Sequence, residues 1–118
     1  MDKTITISGK PVRFRKTGGT VLRYKREFGR EFNADLAKIA AMQSVIGGKD
    51  KKAAAAAALS VETEWMYDMA YIMAQQADPT ITDELTWLDG FDEFDPWAVF
   101  SELMELISKE QEIAPKNV

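Results

Sequence analysis

Two short runs of alternating residues open the chain. Thr4-Ile5-Thr6-Ile7 and Val12-Arg13-Phe14-Arg15 flank Ser8-Gly9-Lys10-Pro11, the pattern of a β-hairpin over about residues 3–16. A two-residue loop at Gly9-Lys10 would need an N–H that Pro11 lacks. The expected register therefore pairs Ile7 with Val12 and Ile5 with Phe14 across a four-residue loop. Ile5, Ile7, Val12 and Phe14 then share one face, with Thr4, Thr6, Arg13 and Arg15 on the other. A lone ribbon is marginal in water, so its apolar side should rest on helices.

The period changes after Gly18-Gly19. Val21, Tyr24 and Phe28 fall on one face of a helix over about 20–28, and Gly29 stands at its C-terminal cap position. Asn33 reads as the cap of a second helix over about 33–46, with Leu36, Ile39, Ala40 and Ile46 in one stripe and Gly47-Gly48 as the stop. Residues 47–59 form a linker or a helix extension around a run of six alanines. Ser60 is the expected cap of a helix over about 60–77. In it Trp65, Met69, Ile72 and Gln76 make one stripe and Met66, Ala70, Met73 and Ala77 another, so this helix should be central.

Asp78-Pro79 ends that helix. Thr80 with Asp83 resembles a capping box for a short helix over about 82–89, closed by Gly90. Asp95 as N-cap and Pro96 at the first position open the last helix, about 96–112, with Trp97, Phe100, Met104 and Ile107 inward beside Val99, Leu103 and Leu106. The tail, 113–118, should fray. The expected fold is mainly α, α+β in detail: an N-terminal β-hairpin packed on a bundle of about four to five helices, as a single domain over 1–118.

Composition narrows the chemistry. With 118 residues and 46% hydrophobic content the chain can bury a core without staples, and it has neither cysteine nor histidine. Disulfides are excluded, and the common zinc, haem and thiol chemistries lack their ligands. No apolar run has the length of a membrane span, and Met1-Asp2-Lys3 does not begin like a signal peptide. The net charge of -4 conceals a strong division. Residues 1–52 hold 13 Lys/Arg against 5 Asp/Glu, a net of +8, whereas residues 53–118 hold 2 against 14, a net of -12.

Catalysis finds little to build on. Pairs such as Glu62 with Glu64 and Asp92 with Glu93 read as solvated surface, because no cleft is implied. The run Asp89 to Asp95 lacks the glycine and glutamate positions of an EF-hand, and Thr17-Gly18-Gly19-Thr20 lacks the spacing and lysine of a P-loop. No catalytic, metal or cofactor residues are assigned. The candidate contact residues are instead basic (Arg13, Arg15, Arg23, Lys25, Arg26 and Arg30) and acidic-aromatic (Phe91, Asp92, Glu93 and Phe94). Opposite charge on two sides of one chain suits head-to-tail association between copies. Five of the twelve aromatic residues lie between Trp87 and Phe100, where anchors and steering acids alternate. Six methionines, among them Met42, Met66, Met69 and Met73, serve as core filling or as an adaptable surface.

Three stretches together resemble the tail assembly chaperones of long-tailed phages and prophages of Gram-positive bacteria. They are Leu22-Arg23-Tyr24-Lys25-Arg26-Glu27-Phe28-Gly29-Arg30-Glu31-Phe32-Asn33-Ala34-Asp35-Leu36, then Tyr71-Ile72-Met73-Ala74-Gln75-Gln76-Ala77-Asp78-Pro79, then Phe91 to Ile107. The resemblance implies a small helical non-enzyme of the host bacterial cytoplasm, absent from the finished virion. Its implied partners are the tape measure protein, the major tail protein, other copies of itself and a longer frameshifted form, with no nucleic acid and no membrane. Lys116-Asn117 can be encoded by a slippery AAA-AAC run, as the frameshift requires. The alternative reading is a small nucleic-acid-binding regulator that uses the basic N-terminal half. Against it stands the acidic isoelectric point, near 4.9.

Overall fold

The computed structural model describes residues 1–38, 52 and 62–113, with side chains to Ser108. It is an α+β fold rich in helix: an N-terminal antiparallel hairpin lies on helices. The hairpin comprises β1 (Asp2–Ile7) and β2 (Lys10–Arg15). Thr20–Phe28 forms α1, residues 32–38 are helical (α2), Glu64–Ala77 forms α3, Glu84–Asp89 forms α4 and Pro96–Ile113 forms α5. The alanine run, the Ser60 cap, the second helix beyond residue 38 and the tail 114–118 lie outside the described residues.

The hairpin register differs from the expected one. Ile7 faces Lys10 and Ile5 faces Val12, so the loop is the two residues Ser8-Gly9. Both have positive φ, 50° and 77°, the backbone of a type I′ turn that matches strand twist. Pro11 then faces Thr6. The Ile7–Lys10 pair beside a two-residue turn is hydrogen-bonded, and pairs alternate from there. The far end keeps step: Lys16 N–H donates to the Met1 carbonyl at 2.9 Å and the Met1 amino group donates to the Lys16 carbonyl at 3.2 Å. Thr6–Pro11 therefore falls on a non-hydrogen-bonded position, where proline forfeits no ladder bond. The expected register was off by two residues, which preserves side-chain parity. Ile5, Ile7 and Phe14 are buried and Val12 half-buried on one face, as the alternation required.

That face meets two helices, β2 lying on α3 and β1 on α5. Helix α3 is the centre of the molecule. From Trp65 to Ala74 every residue except Tyr67 is buried, and Met66, Met69 and Met73 fill core rather than surface. The helix begins later than expected, because Glu62 and Thr63 are not helical and Thr63 is the N-cap residue. Its far end is tied to the start of α1. Thr20 Oγ1 donates to Gln76 Oε1 at 2.5 Å, Gln76 Nε2 donates to Thr17 Oγ1 at 2.7 Å, and the Thr17 N–H donates to Thr20 Oγ1 at 2.9 Å.

Three further boundaries depart from expectation. Helix α2 already includes Phe32, so Asn33 lies inside it and not at its cap. Asp83, not Thr80, caps α4, accepting from the Thr86 N–H at 2.8 Å. Trp97 is not inward: it is 37% exposed, while Val99, Phe100, Leu103, Leu106 and Ile107 carry the buried face of α5. Asp95 does cap α5, accepting from the N–H groups of Trp97 at 3.0 Å and Ala98 at 3.3 Å.

Candidate functional site

The six basic candidates do not form one patch. On the outer face of the hairpin, Asp2 accepts from Arg13 at 2.9 Å and from Arg15 at 2.8 and 3.0 Å. The bonds from Arg15, then Arg13, hold the Asp2 carboxyl well below the usual carboxylate range. Lys25 pairs with Glu31 at 2.8 Å across the Gly29 corner. Gly29 itself has φ +71° and sends its N–H back to the Lys25 carbonyl at 2.8 Å.

Arg30 turns inward. It donates to Asp35 at 3.1 Å, to the Tyr24 hydroxyl at 3.1 Å and to Asp68 on α3. Its guanidinium also lies 5.6 Å from the ring centres of both Tyr24 and Phe28. Tyr24 in turn donates to Asp35 at 2.6 Å, and Lys38 reaches the other Asp35 oxygen at 2.7 Å. Burial works against the charge on Arg30, but the bonds it donates to Asp68, Tyr24 and Asp35 outweigh it and raise its pKa. Burial, then the bond to Asp35, pushes the Tyr24 phenol up. This network joins α1, α2 and α3, so Arg30 is a bolt within the fold.

Arg23 and Arg26 remain. Both are exposed on α1 and enter no ion pair among the described residues. They line an open cavity of about 460 Å³ with Leu22, Glu27, Ile72 and Gln75. Leu22 is 52% exposed there. Four of the six basic candidates are thus matched internally, which leaves two of the six, Arg23 and Arg26, without an ion pair among the described residues for a nucleic-acid reading.

The acidic-aromatic candidates divide in the same way. Phe91 and Phe94 are half-buried, with ring centres 5.5 and 5.7 Å from Trp87 and 5.9 Å from each other; Phe94 also meets Tyr67 at 5.2 Å. They hold the loop down instead of standing free as anchors. Asp92 and Glu93 are exposed, and the Glu93 backbone is clamped to the hairpin turn. Ser8 Oγ donates to the Glu93 carbonyl at 2.6 Å and accepts from its N–H at 2.9 Å, while Lys10 Nζ donates to the Gly90 carbonyl at 2.6 Å.

A groove between α3 and α4 went unnoticed in the sequence. Its volume is about 470 Å³, and Thr63, Glu64, Tyr67, Asp68, Glu84, Leu85 and Leu88 line it. Leu85 is 71% exposed. Burial pushes the Glu84 carboxyl up to about 8, helped by a hydrogen bond to Asp68 and by the charges of Asp68, Glu64 and Glu27. Among the described residues no group of three acids is placed to hold a metal ion. The groove therefore offers apolar surface with an acidic rim. Asp68 was the available signal, a charged residue inside an otherwise apolar helix.

No family model, curated protein or solved structure matches the chain. No helix among the described residues is long and apolar enough to cross a membrane.

Proposed function

We propose that this protein is a tail assembly chaperone of a long-tailed phage or prophage of Gram-positive bacteria. In this reading it binds and solubilises the tape measure protein, helps recruit major tail protein as the tube polymerises, and associates with its own copies while doing so. It acts in the host cytoplasm and stays out of the virion. The resemblance over 22–36, 71–79 and 91–107 supports the reading.

The observation that carries it is the distribution of exposed apolar side chains. Leu22 on α1, Leu85 on α4 and Trp97 on α5 stand out on three separate helices at 52%, 71% and 37% exposure. Leu22 has Arg23 and Arg26 beside it, Leu85 shares its groove with Glu64 and Glu84, and Trp97 follows the acidic turn Asp92, Glu93 and Asp95. Separate sticky points suit a protein that coats a long helical client through many weak repeated contacts and joins its neighbours at the same time.

Co-expression with the tape measure protein of the same tail gene cluster tests this. The tape measure protein should be soluble and co-elute when this chain is present, and aggregate without it. Trp97→Ser should reduce the soluble fraction. A tape measure protein that is equally insoluble with and without this chain would overturn the reading.

A further inference from the structure

We infer that the groove between α3 and α4 is the docking site for α1 of a second copy, with Leu22 entering beside Leu85 and with Arg23 and Arg26 set against Glu64. The inference rests on the self-association in the preceding reading and is independent of the client.

Both halves of the contact stand open on one protomer. Leu85 and Leu22 are the two most exposed large apolar side chains among the described residues. Each sits in an open cavity of similar size, about 460 Å³ at α1 and about 470 Å³ at α4. The charges are complementary at the rim: the first cavity presents two arginines without ion-pair partners among the described residues, beside Glu27, and the second presents Glu64, with Glu84 and Asp68 sharing a hydrogen bond behind it. Asp68 is already held by Arg30, whereas Glu64 enters no ion pair among the described residues.

A single protomer cannot close this contact on itself as folded, because α1 is already packed on α3 through its other face. Each copy carries both surfaces, so the contact is satisfied either reciprocally in a two-fold pair or head-to-tail in a ring or open array. An amphipathic basic helix laid into an acid-rimmed apolar groove uses the groove for affinity and the rim for orientation.

The absence of cysteine makes the contact directly testable. Leu22→Cys and Leu85→Cys each introduce one thiol at an exposed position, and a disulfide requires the two Cα atoms within about 7 Å. Equal amounts of the two variants, oxidised together at low salt, should give a cross-linked dimer severalfold in excess of that from Leu22→Cys with the exposed α5 control Ser101→Cys. Adding Arg23→Glu and Arg26→Glu to the first protein should remove the excess, and adding Glu64→Arg to the second should restore it. Circular dichroism on each variant confirms folding. A yield no greater than the control, or an excess indifferent to charge reversal, would overturn the proposal. So would a monomeric wild type whose groove binds an added basic amphipathic peptide. None of these outcomes involves the tape measure protein, so the client reading and this contact can fail separately.

Discussion

Arg30 shows how far one side chain can depart from the role that composition assigns it. Grouped by its charge with the contact cations, it instead bridges Asp35 and Asp68, both 4% exposed at the side chain. Removing it leaves buried Asp68 without an ion-pair partner among the described residues and buried Asp35 with Lys38 alone. Arg30→Ala should cost about 2–4 kcal/mol in urea unfolding, because an orphaned buried charge is expensive. A loss below about 0.5 kcal/mol, usual for a surface substitution, would contradict the network.

Glu84 poses the opposite case. Its carboxyl moves from an ordinary 4.5 up to about 8, so between these values the folded state binds a proton that the unfolded state has released. Its contribution is therefore most favourable at low pH, is lost as pH rises through this window, and levels off above it. Glu84→Gln keeps the shape without the ionisation. At this half-buried site, screening reduces the effect to about 1 kcal/mol of extra stability for the variant near pH 9, shrinking toward zero near pH 5. Denaturation of both proteins at the two pH values checks the sign, and a variant less stable than wild type near pH 9 refutes it.

At the scale of elements, caps and turns decide the boundaries. Asp95→Ala removes the acceptor for two N–H groups at the start of α5 and should cost about 1 kcal/mol in thermal or urea unfolding. Ser8→Ala loses both hydroxyl bonds to the Glu93 backbone and should loosen the 90–94 loop, visible as faster amide exchange at Glu93. The helical elements were legible wherever the apolar period was long and the cap was local: Thr20–Phe28 with Gly29, and Pro96–Ile113 with Asp95. The hairpin's faces were legible too, because alternation fixes parity. Its register was not, since Ser8 takes a positive φ that side chains seldom adopt and Pro11 sits where its missing N–H is harmless. The contact residues were least legible. Whether Arg30 pairs with Asp68, or Phe94 with Tyr67, depends on contacts between residues 38 and 27 positions apart, beyond the reach of local pattern.

Across the whole molecule, the division of charge into a basic first half and an acidic second half is cancelled on one side only. Among the described residues Lys3, Arg13, Arg15, Lys25, Arg30 and Lys38 are paired, whereas of the acidic half only Asp68 and Glu105 enter ion pairs. The basic surface that survives on α1 is Arg23 and Arg26 beside Leu22, and Glu64 stands at the groove around Leu85. Contacts between such exposed charges weaken as the screening length falls from about 30 Å at 0.01 M salt to about 3 Å at 1 M. Nucleic-acid binding through the two arginines alone should be negligible at physiological salt, and a gel-shift assay that finds tight binding there would favour the regulator reading instead.

The most direct test of assembly through complementary faces is sedimentation velocity on the wild-type protein at high concentration across a salt series. Assembly through these faces gives species larger than a monomer at low salt, with mass falling as salt rises and lost in Arg23→Glu/Arg26→Glu. A single monomeric species at every salt concentration would contradict it.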